Sequence, residues 1–176
     1  DLLGEVEGVI PTPEWKERTR GERWFLGNTY HMSIGQGDVA ATPLQVAVMT
    51  AVIADEGKIC EPTIRKMEDG ISKVENCKEV GVSQKTIGLI RQGMIGACST
   101  GGTAFPLFNF EVHDFNEPAS SSAKPIQIAC KTGTAEFGQP AQSDDSEDKT
   151  HAWITVFAPA SQGEDLEAEN PEIVVT

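Results

Sequence analysis

Residues 126–136 read IQIACKTGTAE, an apolar start followed at once by a short polar run. Isoleucines at alternate positions and the lack of proline inside the run predict a β-strand. In a strand, the side chains of residues 131 and 133 face one way and those of residues 132 and 134 the other. Four consecutive strand positions therefore carry an ammonium group, two hydroxyls and one residue without a side chain.

These four residues suit the binding of an extended peptide alongside a strand edge. Lys131 offers a cation, and the hydroxyls of Thr132 and Thr134 offer donors for a carboxylate or an amide. Gly133 lets a ligand backbone approach closely. The alternative for Lys131 is a solvated lysine without a role. A phosphate-binding loop is excluded, because the Walker A pattern needs a glycine directly before the lysine, where this sequence has Cys130.

Two helices are predicted upstream of this strand. Residues 42–45 read TPLQ, with threonine at the N-cap, proline at the first helical position and glutamine at the third, which is a capping-box pattern. Apolar residues then recur at helical spacing as far as the terminator Gly57. Ser83 is a candidate N-cap for the second helix, whose apolar face spans residues 87–98 and which ends at the glycine pair 101–102.

The cysteines point to a hairpin between these helices. Cys60 and Cys77 flank a predicted turn at residues 68–70, so they lie on facing strands within a residue or two of register. Two readings stay open: a disulfide, which would contribute about 3 kcal/mol for a loop of that length, or two buried thiols. A disulfide would also fit an exported protein. Cys98 and Cys130 complete the set, and the absence of CxxC spacing argues against a zinc site.

The order of elements predicts the fold class. Residues 125–137, 151–158 and those from 173 onward predict three consecutive strands with polar connections. Helix, hairpin, helix and then strands is typical of an α+β fold, in which helices pack on an antiparallel sheet.

The two ends of the sequence are less regular. Residues 1–40 are rich in glycine and proline and predict a meandering segment, in which Pro11 and Pro13 interrupt regular structure. The sequence begins DLLG without methionine and stops within the β-branched run at residues 173–176. We therefore expect a piece of a longer protein, cut within its last strand.

Composition excludes several classes of function. The formal net charge of −13 opposes binding to nucleic acid or anionic lipid, because both would be repelled. No run approaches the ~20 apolar residues of a membrane span. The acidic run at residues 144–148 lacks the glycine and the closing glutamate of a calcium loop, so it is interpreted as a solvated face.

The K-T-G triplet at residues 131–133 belongs to the signature of β-lactamases and penicillin-binding proteins. The longer wording resembles class B penicillin-binding proteins, the D,D-transpeptidases that cross-link peptidoglycan. The resemblance covers residues 1–176 and is weaker at about 60–80 and 105–124. The segments that carry it, besides KTG, are LGE at 3–5, SIGQG at 33–37, TPLQVA at 42–47, GGTA at 101–104 and HAWITVFAP at 151–159.

The resemblance implies a role for each residue of the motif. Lys131 and Thr132 would hold the carboxylate of the substrate or of a β-lactam, and Gly133 would admit the ligand. The backbone N–H of Thr134 would be one of two oxyanion-hole donors, the other being that of the nucleophilic serine. Lys131 and Thr134 are thus the catalytic candidates, and residues 132–134 the substrate-binding ones.

The resemblance also implies a setting for the parent enzyme. It would attack the D-Ala-D-Ala bond of a peptidoglycan stem peptide through a serine acyl-enzyme, without metal or organic cofactor. It would be tethered by an upstream anchor at the outer face of the cytoplasmic membrane and would work with a glycosyltransferase.

The nucleophilic serine motif is absent from the sequence. Ser121 and Lys124 match S-x-x-K, but the chemistry needs a helical turn there and Pro125 disfavours helical geometry at Lys124. No S-x-N occurs anywhere. The chain is therefore interpreted as the C-terminal part of a transpeptidase domain that is inactive by itself.

Three further residues are weaker candidates, and two rival functions stay open. His151 could be a general base or a packing residue, Glu136 could contact substrate or be solvated, and Cys130 is expected to be a buried thiol where the family usually has glycine. The rival functions are a β-lactam sensor or β-lactamase, and a non-catalytic binding module.

Overall fold

The computed structural model describes residues 4–63, 77–112, 124–137, 149–160 and 173–176. These residues belong to two compact units. The core unit is built from Val46–Thr132 and Ile154–Thr176, and the N-terminal unit from Leu3–Gln45 and Gly133–Trp153.

The N-terminal unit contains two short helices, α1 (Pro13–Arg20) and α2 (Leu26–Ser33). The prediction of an irregular segment was therefore wrong here. Thr12 caps α1, its hydroxyl accepting a hydrogen bond from Trp15 N at 3.1 Å. Pro13 occupies the first helical position, where its missing N–H costs nothing, so it starts the helix and does not interrupt one.

A buried lysine ties α1 to α2. Lys16 Nζ donates to Asn28 Oδ1 at 3.1 Å, forms an ion pair with Glu22 at 3.1 Å and lies 5.5 Å from the centre of the Phe25 ring. Asn28 Oδ1 also accepts from Phe25 N at 2.9 Å at the start of α2. The ammonium is thus compensated on several sides, which a buried charge requires.

The predicted helix after residue 42 is confirmed as α3 (Pro43–Ala54). Thr42 N donates to Gln45 Oε1 at 3.0 Å, and Gln45 N donates to Thr42 Oγ1 at 3.2 Å. These reciprocal bonds form the expected capping box. The helix ends at Ala54, and Gly57 follows with φ of +96°.

The predicted hairpin is confirmed as well. Strands β1 (Lys58–Cys60) and β2 (Cys77–Glu79) pair antiparallel with Cys60 opposite Cys77. The two cysteines form a disulfide with an S–S distance of 2.00 Å, which decides between the two readings left open by the sequence. The predicted turn at residues 68–70 lies outside the described residues.

The second predicted helix is α4 (Gln84–Cys98), capped by Ser83, whose hydroxyl accepts from Thr86 N at 3.2 Å. Ile87, Met94 and Cys98 are buried, whereas Ile90 is exposed. A short 3-10 helix, Phe105–Leu107, and the paired strands β3 (Glu111–Val112) and β4 (Lys124–Pro125) follow.

The remaining strands form one sheet. Strands β5 (Ala129–Phe137), β6 (Lys149–Ala158) and β7 (Ile173–Val175) lie in the order β5-β6-β7, and β6 pairs antiparallel with β7. Together with the helices this confirms the predicted α+β class. In the described part of the chain, no helix is both long enough and apolar enough to cross a bilayer.

The core unit buries two apolar clusters. Helices α3 and α4 contribute Ala54 and Met94 to the first, and β6 contributes Phe157. The second cluster packs α4 against the start of β5, through Cys98, Ala104, Ile128 and Cys130. The hydroxyls of Thr50 and Thr155 bond to each other at 2.7 Å and so satisfy two buried polar groups. The two clusters hold the start of β5 in the core, because Ala129 and Cys130 belong to them.

Cys98 and Cys130 form a second disulfide, with an S–S distance of 1.88 Å. We expect Ellman titration of the oxidised, guanidinium-unfolded full-length protein to find no free thiol among the four cysteines of this chain, and four after reduction. Cys→Ser variants of each pair assign the count to the right cysteines. A count of four before reduction would contradict both bridges.

Candidate functional site

The four motif residues lie on β5 where the strand leaves the core. Ile128, Ala129 and Cys130 are buried, Lys131, Gly133 and Thr134 are exposed, and Thr132 is half-buried. Within the described residues β5 stands at the end of the order β5-β6-β7, so its other edge carries no strand. The prediction that residues 131–134 lie on an accessible strand edge is confirmed, and their chemical roles stay predictions.

In the N-terminal unit, the free edge of β5 is contacted by one side-chain amide. Gln36 Nε2 donates to Thr134 O at 2.6 Å, and Glu136 N donates to Gln36 Oε1 at 3.4 Å. Gln36 belongs to no strand of the sheet, so these groups point away from β6. Since the N–H and C=O of one strand residue face the same edge, the N–H of Thr134 also faces that free edge.

In the core unit, Thr132 has a partner from the loop after α4. The hydroxyls of Thr132 and Thr103 bond to each other at 2.9 Å. The loop can turn back here because residue 102 is glycine: an added Cβ would lie 2.3 Å from Ala97 O. Lys131 Nζ donates to the carbonyl oxygen of Thr132. The ammonium is therefore held against the backbone of the strand, and the Thr132 hydroxyl is held by the loop after α4.

Among the described residues, Gly133 has room for a side chain. An added Cβ would meet Trp153 Cβ at 3.5 Å, which is an ordinary van der Waals contact. Packing against the described residues of the N-terminal unit therefore does not require glycine at this position.

The expectation for Cys130 was half right. The side chain is fully buried, but it is joined to Cys98 in a disulfide and is not a free thiol. The residue directly before Lys131 is thereby linked covalently to the end of α4.

The structure gives positions for most of the weaker candidates. Lys124 lies in β4, which agrees with its rejection as part of a helical S-x-x-K motif, while Ser121 lies outside the described residues. His151 is exposed on β6, and the side chain of Glu136 is exposed on β5. The acidic run at 144–148 also lies outside the described residues. Where the structure describes the chain, no group of His, Cys, Asp and Glu residues is arranged to hold a metal ion.

Two contacting residues were missed by the sequence analysis. Gln36 and Thr103 lie in segments that had been noted only as landmarks, SIGQG and GGTA. A polar side chain directly after a glycine was the signal available in both segments, because glycine allows tight turns that can present such a side chain.

Comparison with known proteins finds relatives along most of the chain. Residues 1–166 match the family model of the penicillin binding protein transpeptidase domain. The peptidoglycan D,D-transpeptidase MrdA of Acinetobacter baumannii is 33% identical over 93% of this chain and 24% of its own length. The chain spans about a quarter of the length of the curated relatives that it matches.

Solved structures give the same result. PBP2 of Pseudomonas aeruginosa aligns with a TM-score of 0.66 and 30% identity, covering 91% of this chain and 32% of that one. Penicillin-binding protein PBP2 of Helicobacter pylori, solved in complex with MreC, aligns with a TM-score of 0.65 and 32% identity, covering 90% and 26%.

Proposed function

Since this chain belongs to the penicillin binding protein transpeptidase domain family, we propose that it is the C-terminal part of the catalytic domain of a peptidoglycan D,D-transpeptidase. The observation that carries the proposal is the free edge of β5, on which Lys131, Gly133 and Thr134 are exposed and toward which the backbone N–H of Thr134 faces. The nucleophilic serine and the S-x-N motif belong to residues upstream of this sequence.

The reaction uses the edge of β5 as a binding strand. The serine oxygen attacks the carbonyl carbon of the D-Ala-D-Ala amide, and the negative charge that develops on the carbonyl oxygen is stabilised by the Thr134 N–H. The C–N bond then breaks, D-alanine leaves with a proton on its amine, and the peptide remains as a serine ester. An amine of a second stem peptide attacks this ester, which forms the cross-link and restores the serine hydroxyl.

The polar residues of the motif bind the end of the substrate. Lys131 and Thr132 hold the carboxylate of the terminal D-alanine or of a β-lactam by charge-assisted hydrogen bonds. Gly133 admits the ligand against the strand, which is supported by the room for a side chain that the described residues leave there. No metal or organic cofactor is part of the reaction.

The parent protein acts in the cell envelope, at the outer face of the cytoplasmic membrane. An upstream anchor holds it there, and a glycosyltransferase supplies the glycan strands whose peptides are joined. The two disulfides support this location, because disulfides persist in oxidising compartments.

The first test is Lys131→Ala in the full-length protein, labelled with fluorescent penicillin. Losing the charged hydrogen bond to the carboxylate costs about 1.5–3 kcal/mol, so we expect the second-order acylation rate to fall by roughly 10-fold to 100-fold. Lys58→Ala, which removes an exposed strand lysine in β1, is the matched control and should label like the wild type. Equal rates for the two variants would reject the role of Lys131.

The same experiment separates the rival functions. A penicillin adduct that persists for many minutes is expected of a transpeptidase, whereas release within seconds would favour a β-lactamase. An upstream sequence without S-x-x-K and S-x-N would favour a non-catalytic binding module.

A further inference from the structure

The side-chain amide of Gln36 makes hydrogen bonds to the backbone of β5 of the kind that a neighbouring strand would make. Its N–H donates to Thr134 O at 2.6 Å and its carbonyl accepts from Glu136 N at 3.4 Å. A residue of a parallel neighbouring strand would make the same two bonds, donating to one residue of β5 and accepting from the residue two positions further on. Gln36 therefore satisfies the free edge of β5 at the residue whose N–H is the candidate oxyanion donor.

Gln36 is itself held firmly by the turn that follows α2. Its backbone N–H donates to His31 O at 2.9 Å, and Gly35 N donates to Met32 O at 3.0 Å. Gly37, with φ of +77°, has a conformation that favours glycine, and an added Cβ would press on His31 Cβ at 3.4 Å. The side chain of Gln36 thus leaves a fixed backbone and is half-buried.

An exposed edge strand needs such support if it is to act in catalysis. Its backbone groups on the free side have no ladder to hold them, and donors stabilise an oxyanion only when they are held within hydrogen-bond reach of it. A misplacement of about 1 Å in a reacting geometry can cost on the order of 10²-fold in rate.

We propose that Gln36 is a positioning residue, which fixes the backbone of β5 so that the Thr134 N–H is aimed at the developing oxyanion. The inference rests on the proposed transpeptidase function. It assigns to the SIGQG segment a task in acylation, since that segment supplies the amide and the glycine turn that carries it.

The test measures the acylation step separately from binding, in the full-length protein with fluorescent penicillin. In Gln36→Ala we expect the acylation rate constant to fall about 10-fold to 100-fold, less than the 10²–10³ typical of losing a donor outright. The dissociation constant of the non-covalent complex should change by less than about 3-fold, because the carboxylate contacts remain. Gln84→Ala is the matched control, since it removes another side-chain amide that donates to a backbone carbonyl, Glu56 O at 2.8 Å.

A second variant, Gln36→Glu, allows the protonated and the ionised form of the introduced carboxyl group to be compared. A carboxylate cannot donate to Thr134 O, whereas a protonated carboxyl can donate to Thr134 O and still accept from Glu136 N. The acylation rate of this variant relative to wild type should therefore rise as the pH is lowered from 8 to 5. The rates are compared at equal folded fraction, which a thermal melt at each pH measures, so that a role in stability alone would not produce this rise.

The outcomes are distinct. Wild-type rates in both Gln36 variants, a loss confined to the dissociation constant, or an equal loss in Gln84→Ala would each overturn the role of Gln36. A wild-type protein that does not label at all would reject the proposed function, and the inference would fall with it.

Discussion

Replacing Thr134 by proline in the full-length protein is expected to lower its acylation rate by about 10²–10³-fold, the usual cost of removing one oxyanion donor. Proline has no N–H, and it is tolerated on an edge strand when that position faces away from the ladder. The Thr134 N–H faces the free edge, because the carbonyl of the same residue is bound there by Gln36. The substitution therefore removes the donor and leaves the pairing of β5 with β6 in place.

Thr134→Ala is the matched control for this prediction. It removes the hydroxyl but keeps the N–H, and a neutral hydrogen bond contributes about 0.5–1.5 kcal/mol, so the rate should fall no more than roughly 10-fold. The measurement is the rate of labelling by fluorescent penicillin, with a thermal melt to show that both variants are folded. If the proline and alanine variants label equally fast, the Thr134 N–H is not an oxyanion donor.

Phe157→Ala is expected to lower the free energy of unfolding by about 3–5 kcal/mol. Phe157 is 0% exposed and packs in the cluster that contains Ala54, Met94 and Ala129. Truncation would leave a cavity between the helices and the sheet, in the cluster that also contains Ala129, the first residue of β5. Urea unfolding of the full-length protein, followed by tryptophan fluorescence, measures the change.

Phe105→Ala is the control, because the side chain of Phe105 is 76% exposed. It should change the free energy of unfolding by no more than about 0.5 kcal/mol, as most surface substitutions do. A loss below about 1 kcal/mol for Phe157→Ala would show that this cluster is not the core of the domain.

Local signals in the sequence predicted some elements and missed others. The capping box at Thr42 correctly predicted α3, because the long apolar run after it confirmed the helical period. The same Thr-Pro pair at residues 12–13 starts α1, but PEWKERTR has little apolar periodicity, so Pro13 was misread as a breaker. A short polar helix leaves only its cap as a signal.

The candidate site likewise has some features that the sequence predicted and others that it missed. The strand that carries Lys131 was predictable from its own residues, and the Cys60–Cys77 bridge from the hairpin between them. The contacts of Gln36 with β5 join residues about 100 positions apart, and the Cys98–Cys130 bridge joins a helix to a strand. Such pairings depend on tertiary packing, which local pattern does not encode.

The connectivity of the two disulfides makes them independent of each other. Each bridge joins cysteines that are consecutive in this sequence, 60 with 77 and 98 with 130, so the two loops that they close do not overlap. Four cysteines allow three pairings, and in the other two the loops would be nested or crossed. Reduction of one bridge therefore leaves the loop closed by the other bridge intact.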